Sequence, residues 1–150
     1  MINDLGKELI KGHEGLMLKA YPDPATGGEP WTIGYGNTFY EDGSKVKPGE
    51  KITKDRAEKI LNHVLDGFSQ KVKDLIKSNV TDNQFAALVS FAYNCGIGNL
   101  QKSTLLKKVN ANPSDPTIRD EFAKWNKAAG KVMAGLTKRR ADEANLYFKA

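Results

Sequence analysis

One apolar stripe in the middle of the chain constrains the fold more than any other feature. Ala57, Ile60, Leu61, Val64, Leu65, Phe68, Val72, Leu75 and Ile76 succeed one another at steps of 3, 1, 3, 1, 3, 4, 3 and 1. This is the 3.6-residue period of an amphipathic helix. It predicts one long helix starting near Thr53, roughly 30 Å from end to end. Such a helix divides the chain into an upstream part and a downstream part, and the two differ in character.

The upstream part opens helically. Between residues 3 and 14, Leu5, Leu9, Ile10 and His13 share a face, and Asn3 or Asp4 is a plausible N-cap. Residues 21–50 then turn rich in Gly and Pro. The run Trp31-Thr32-Ile33-Gly34-Tyr35 alternates bulky with small residues, a strand signal, and Glu41-Asp42-Gly43-Ser44 has hairpin-turn composition. A small antiparallel sheet is expected here. The part after the long helix is helical to its end. Thr81-Asp82-Asn83-Gln84 has the spacing of a capping box and opens a helix through Phe85, Leu88, Val89 and Ala92 that Gly96 can stop. Ser103 or Thr104 can cap a short helix ending before Pro113, and Asp115-Pro116 can start the next. The last helix carries Arg139, Arg140, Leu146 and Tyr147. The expected architecture is α+β in one domain, 1–150. A sheet-bearing lobe at about 15–52 and a helical lobe at about 78–150 plus the N-terminal helix are joined by the long helix. A cleft between two such lobes is a common ligand site.

Composition narrows the classes. With 39% hydrophobic and 27% charged residues in 150, the chain has a soluble globular balance. Its lone cysteine, Cys95, has no internal partner, so the fold rests on its core, which suits a reducing compartment. The first eight residues carry acids where a secretory signal is basic, and no apolar run nears the roughly 18 residues of a membrane span, so neither signal peptide nor membrane insertion is expected. A net charge of +5 favours an acidic partner. Nucleic acid is not expected, because the basic residues are scattered among acids without a recognition motif. His13, His63 and Cys95 form no ligand spacing, so no metal and no cofactor is expected. His13, beside Glu14, reads as packed or partly buried, His63 as exposed, Cys95 as a small buried hydrophobe, and Trp31 and Trp125 as core.

For chemistry, Glu14 ends the first helix and Asp23 sits in the loop before the sheet. Hydrolysis of a glycosidic bond needs one carboxyl as acid and a second to activate water or act as nucleophile. Thr32 could hold a water with Asp23. Spacing alone says little, since a chain of this size has many such pairs. The surrounding text says more. His13-Glu14-Gly15-Leu16-Met17-Leu18-Lys19-Ala20-Tyr21-Pro22-Asp23 and Trp31-Thr32-Ile33-Gly34-Tyr35-Gly36-Asn37-Thr38 resemble the active-site segment of phage-type lysozymes, glycoside hydrolase family 24. Ala92-Tyr93-Asn94-Cys95-Gly96, Ser103-Thr104-Leu105-Leu106, Phe122-Ala123-Lys124-Trp125 and Gly135-Leu136-Thr137-Lys138-Arg139-Arg140-Ala141-Asp142-Glu143 resemble further blocks of the family, in the family's order.

The resemblance implies a lysozyme-like fold and a muramidase that hydrolyses the β-1,4 bond between N-acetylmuramic acid and N-acetylglucosamine in bacterial peptidoglycan. Glu14 would be the general acid, and Asp23 with Thr32 would position or activate water. Inversion is favoured, with a covalent route through Asp23 left open. Tyr93, Ser103 and Thr38 would border the sugar, and one of Arg139 and Arg140 would pair with Glu14, against the plainer reading of that pair as solvated surface charge. Such proteins are mostly phage endolysins that gather in the host cytoplasm and reach the wall once a separate holin opens the membrane; a monomer is the default expectation for this chain. A lytic transglycosylase, a chitinase-like enzyme and a non-catalytic wall-binding module are the competing readings. Two departures stand out. Asn37 replaces the family's usual His, and the loop Pro24-Ala25-Thr26-Gly27-Gly28-Glu29-Pro30 is longer than usual, which makes Thr26 a rival to Thr32.

Overall fold

The computed structural model describes residues 2–150 and divides them into two compact units, residues 11–66 and residues 2–10 with 67–150. The elements in order are α1 (Asp4–Glu14), β1 (Met17–Tyr21), β2 (Thr32–Gly34), α2 (Lys54–Leu75), α3 (Asp82–Cys95), α4 (Ile97–Lys102), α5 (Thr104–Ala111), α6 (Ile118–Ala123), β3 (Lys127–Ala128), β4 (Lys131–Val132) and α7 (Ala134–Tyr147). The mixture of helices with two small antiparallel sheets is the α+β class expected.

In the 11–66 unit, β1 pairs antiparallel with β2, Met17 opposite Gly34 and Tyr21 opposite Thr32, with a bulge between. The sheet therefore begins upstream of the Gly/Pro-rich stretch. The Glu41–Ser44 turn does form: Tyr40 N–H donates to the Ser44 carbonyl at 2.9 Å, and Asp42 Oδ1 accepts from Ser44 N–H at 2.8 Å. Only a single bridge, Phe39 to Lys45, flanks it. Beneath lies a small core of Ala20, Ile33 and Val46, with Trp31, Tyr40 and Ile52 packed on it. The first half of α2 adds Ala57, Ile60, Leu61 and Leu65, all fully buried as the stripe requires. Thr53 Oγ1 accepts from Arg56 N–H at 3.1 Å, capping α2 where the pattern began.

The larger unit is mainly helical but not helical to its end as expected: β3 and β4 form a short antiparallel hairpin before α7, Lys127 opposite Val132 and Ala128 opposite Lys131. Asn3, not Asp4, caps α1, its Oδ1 accepting from Gly6 N–H at 3.0 Å. The buried face of α1 also differs from the expected one. Gly6 and Ile10 are buried, whereas Leu5 is exposed. The reason is close approach: a Cβ on Gly6 would lie 2.7 Å from Ala86 Cβ of α3 and from Ile2 Cγ1. Only a glycine admits that contact. The capping box at Thr81 and Gln84 is complete in both directions. Ser103, not Thr104, caps α5, with Leu106 N–H donating to its hydroxyl at 3.0 Å. Asp115 holds the turn before α6, accepting from Thr117 N–H at 2.9 Å, so this helix starts two residues later than Pro116 suggests. Phe91, Phe122, Trp125, Tyr147 and Phe148 meet edge-to-face in a chain at 5.0–6.1 Å between ring centres.

Candidate active site

Glu14 is the last residue of α1, and the helix stops there for a local reason. Gly15 takes a left-handed φ of 72° while its N–H donates to the Lys11 carbonyl at 2.9 Å, a glycine C-cap. The chain then enters β1 and returns along β2 into a tight reversal. Ile33 N–H donates to the Asn37 carbonyl at 2.8 Å, and Asn37 N–H donates back to Ile33 at 2.9 Å. Gly34 and Gly36 supply the positive φ values of 68° and 81° that this turn needs. Gly36 has a second reason to lack a side chain: a Cβ there would sit 2.8 Å from Glu14 Oε1. The Glu14 carboxylate thus lies against the turn after Thr32, in space that only glycine leaves open. Glu14 itself is half-buried.

Three residues that sequence reasoning passed over brace this arrangement. Lys11, one helical turn before Glu14, lies 2.7 Å from Glu58 Oε2 of α2. The Tyr35 hydroxyl, from between Gly34 and Gly36, donates to Glu58 Oε1 at 3.0 Å. The Lys11 ammonium also lies 5.8 Å from the centre of the Tyr35 ring. The hydrogen bond from Lys11, with that from Tyr35, holds the Glu58 carboxyl below the ordinary carboxylate range against the opposing effect of its burial. The end of α1, the glycine turn and α2 are therefore pinned at one carboxylate. The signal in the sequence was the Gly-Tyr-Gly triplet, whose small flanks leave one large side chain to bury.

Asp23 organises the loop before β2. Its carbonyl accepts from Thr26 and Gly27 N–H at 3.2 and 2.8 Å, and its Oδ1 accepts from Ala25 N–H at 2.9 Å. This is an Asx turn. It leaves a half-buried carboxylate with one oxygen committed to the backbone. Thr26 closes the same loop, its hydroxyl donating to the Glu29 carbonyl at 2.8 Å and accepting from Gly28 N–H at 3.2 Å. Thr32 is half-buried on β2, opposite Tyr21. Asn37, in the place of the usual His, is buried at 6% exposure with its backbone closing the glycine turn. Thr38 is half-buried and lines a cavity with Trp31, Phe39 and Lys45. His13 is half-buried and His63 exposed.

The remaining sequence candidates sit in the helical unit. The reading of Arg139 and Arg140 as solvated charge is overturned, since they are 4% and 1% exposed. The cause is Glu143, one turn on and fully buried, which lies 2.7 Å from Arg140 Nε and 3.6 Å from Arg139 Nε. Ser90 of α3 donates its hydroxyl to Glu143 Oε2 at 2.6 Å. Burial pushes the Glu143 carboxyl up, and the two guanidiniums act in the opposite direction. Arg140 also donates to Asn94 Oδ1 at 2.9 Å and to Cys95 Sγ at 2.6 Å. Cys95 is half-buried rather than a fully packed hydrophobe, and burial raises its thiol. Tyr93 packs edge-on against Phe68 at 5.7 Å. Ser103 is buried, its hydroxyl donating to the Leu100 carbonyl at 2.7 Å while it caps α5. Among the described residues no group of three or more His, Cys, Asp or Glu could hold a metal ion, and no helix is long and apolar enough to cross a membrane.

Comparison with known proteins places this geometry. The pattern of the phage lysozyme family matches residues 11–143. An endolysin of Bacillus phage B103 is 46% identical over 147 residues, which are 98% of this chain and 54% of that protein. The chain spans about half the length of the first curated relatives it matches. An endolysin of Acyrthosiphon pisum secondary endosymbiont phage 1 is 37% identical over 153 residues, covering 99% of both chains. The solved endolysin from Escherichia coli O157:H7 phage FAHEc1 superposes with a TM-score of 0.89 at 39% identity, over 99% of this chain and 93% of that one.

Proposed function

This chain belongs to the phage lysozyme family, and from its site we propose a muramidase that hydrolyses the β-1,4 bond between N-acetylmuramic acid and N-acetylglucosamine in peptidoglycan. The observation that carries the proposal is the Glu14 carboxylate set over Gly36, at the turn after Thr32. A general acid must be held rigidly where the leaving oxygen will sit. The C-cap at Gly15 and the brace of Lys11, Glu58 and Tyr35 support that role for Glu14.

Asp23 is the second carboxylate. Its Oδ1 is engaged by Ala25 N–H, which leaves the other oxygen to orient a water and to face positive charge developing on the sugar. Thr32 is its partner for that water. The engagement of the Thr26 hydroxyl within its own loop argues against the rival. Inversion by single displacement is the outcome this division of labour supports. The wall is reached from the host cytoplasm through a separate holin, and the enzyme works as a monomer.

The test is clearing of chloroform-treated Gram-negative cells, with Glu14→Gln in parallel. Gln keeps the shape and removes the proton donor. Clearing by the parent and a loss of about a thousandfold in the variant, with reducing rather than anhydro ends in the fragments, is the expected result. Equal clearing by both proteins, or none by either, sinks the proposal. Thr32→Val should cost far more activity than Thr26→Val; the reverse order reassigns the hydroxyl.

A further inference from the structure

A turn built on two glycines needs an anchor from outside itself. Gly34 and Gly36 both take positive φ, 68° and 81°, and glycine has more conformational freedom to lose on folding than any other residue. Between them stands Tyr35, buried at 5% exposure. A buried tyrosine hydroxyl must find a partner, and this one donates to Glu58 Oε1 at 3.0 Å. The other oxygen of the same carboxylate lies 2.7 Å from the ammonium of Lys11, in the last turn of α1. The Ile33–Asn37 backbone pair closes the turn on itself. The Tyr35 and Lys11 side chains tie the turn and the end of α1 to one point on α2. What lies between those two segments is the seat of Glu14, where Oε1 comes to 2.8 Å from the place a Gly36 Cβ would take.

We propose that Glu58 is a positioning residue for glycan cleavage: by holding Tyr35 and Lys11 at one carboxylate, it sets the spacing between the Glu14 carboxyl and the glycine turn. The proposal rests on the reading of Glu14 as the general acid. A third carboxylate in this unit could instead be taken for an acid or base in its own right. Against that, each of its oxygens is already engaged, one by a hydroxyl and one by an ammonium. Glu58 therefore acts through two other side chains and not on the sugar. A reacting group displaced by about 1 Å loses about a hundredfold in rate. Such a loss falls on turnover and spares substrate affinity, because the displaced group matters in the transition state and not in the bound ground state.

The test measures kcat and KM on soluble peptidoglycan strands, at a temperature where unfolding curves show every variant folded, together with amide hydrogen exchange. Glu58→Ala should lower kcat about a hundredfold and leave KM close to the parent's. Tyr35→Phe keeps the ring and removes one hydrogen bond, and should lower kcat about tenfold. Glu58→Gln retains an acceptor for Tyr35 and should recover most of what Glu58→Ala loses. Adding Lys11→Met to Glu58→Ala should cost little more, since both changes act through the same carboxylate. The matched control is Tyr40→Phe, which removes a like bond in the same unit, from the Tyr40 hydroxyl to Glu50 Oε1 at 3.0 Å. It should keep the parent's kcat. Exchange at the Asn37 amide, which closes the glycine turn, should quicken in Glu58→Ala and Tyr35→Phe and not in Tyr40→Phe. A parent that cuts no glycan overturns the muramidase reading and this role with it. A parent that cuts, with kcat unchanged in Glu58→Ala, overturns this role alone. So does an equal loss of kcat in Tyr35→Phe and Tyr40→Phe, or a loss confined to KM.

Discussion

The two units of this chain solve opposite problems. In residues 11–66, short strands and turns hold polar groups in place over a core of Ala20, Ile33 and Val46, to which the first half of α2 adds Ala57, Ile60, Leu61 and Leu65. Six glycines there adopt positive φ, at positions 15, 27, 34, 36, 43 and 49. In the other unit only Gly96 and Gly130 do so, and helices bury an aromatic chain together with a charged network at Glu143. The first unit gains geometry from backbone conformations that side chains disfavour. The second gains rigidity from packing. The site candidates Glu14, Asp23 and Thr32 all fall in the first.

Substitutions should expose that difference. The largest stability effect belongs to the helical unit. Glu143→Ala leaves two guanidiniums buried without their shared carboxylate and should cost about 3–5 kcal/mol, read by denaturant unfolding. A loss below about 1 kcal/mol would mean the network is incidental to the packing. Next comes Gly36→Ala. The left-handed backbone alone costs about 1–2 kcal/mol, and the added methyl must displace the Glu14 carboxylate. Activity should fall at least tenfold, well beyond the stability loss. Gly43→Ala is the matched control, since it carries the same kind of φ, 86°, with nothing within 4 Å of the new carbon. It should lose similar stability and keep its activity. Parallel losses of activity in the two variants would break the argument from Glu14.

Smaller effects sharpen the comparison. Thr81→Ala removes half of a capping box in the packed unit and should cost about 1 kcal/mol in a melt, with turnover unaffected. The least is a pH effect. Lys108 and then Lys124 hold the buried Glu121 carboxyl below its ordinary range. A carboxylate lowered on folding stabilises the native state above its unfolded titration range, and that contribution fades as pH falls through the folded value. The stability gap between the parent and Glu121→Gln should therefore be widest near neutrality and shrink below about pH 4. A gap independent of pH would show that Glu121 acts through shape rather than charge.

Much of the fold was readable from local pattern. The α2 stripe, the capping box at Thr81, the stop at Gly96 and the turn at Asp42–Gly43 each depend on residues within four positions of one another, and each formed where that spacing put it. The same is true of Glu14 as a helix end beside a glycine. Local pattern failed where a partner came from far along the chain. Leu5 was expected inside and is exposed, because Ala86, eighty residues on, packs against Gly6 instead. Arg139 and Arg140 looked like solvent charge until Glu143 and Ser90 buried them.

The sequence by itself determined the periods, the caps, the family blocks and the candidate carboxylates, because these are set by covalent neighbours and by the repeat of the helix or strand. Tertiary structure alone decided that Gly36 must be bare to admit Glu14, that Lys11, Tyr35 and Glu58 converge beneath it, and that Thr26 spends its hydroxyl on its own loop while Thr32 sits on the strand. Those are relations between groups separated in the chain, and no periodicity encodes them; only the packed core brings such groups within hydrogen-bonding distance.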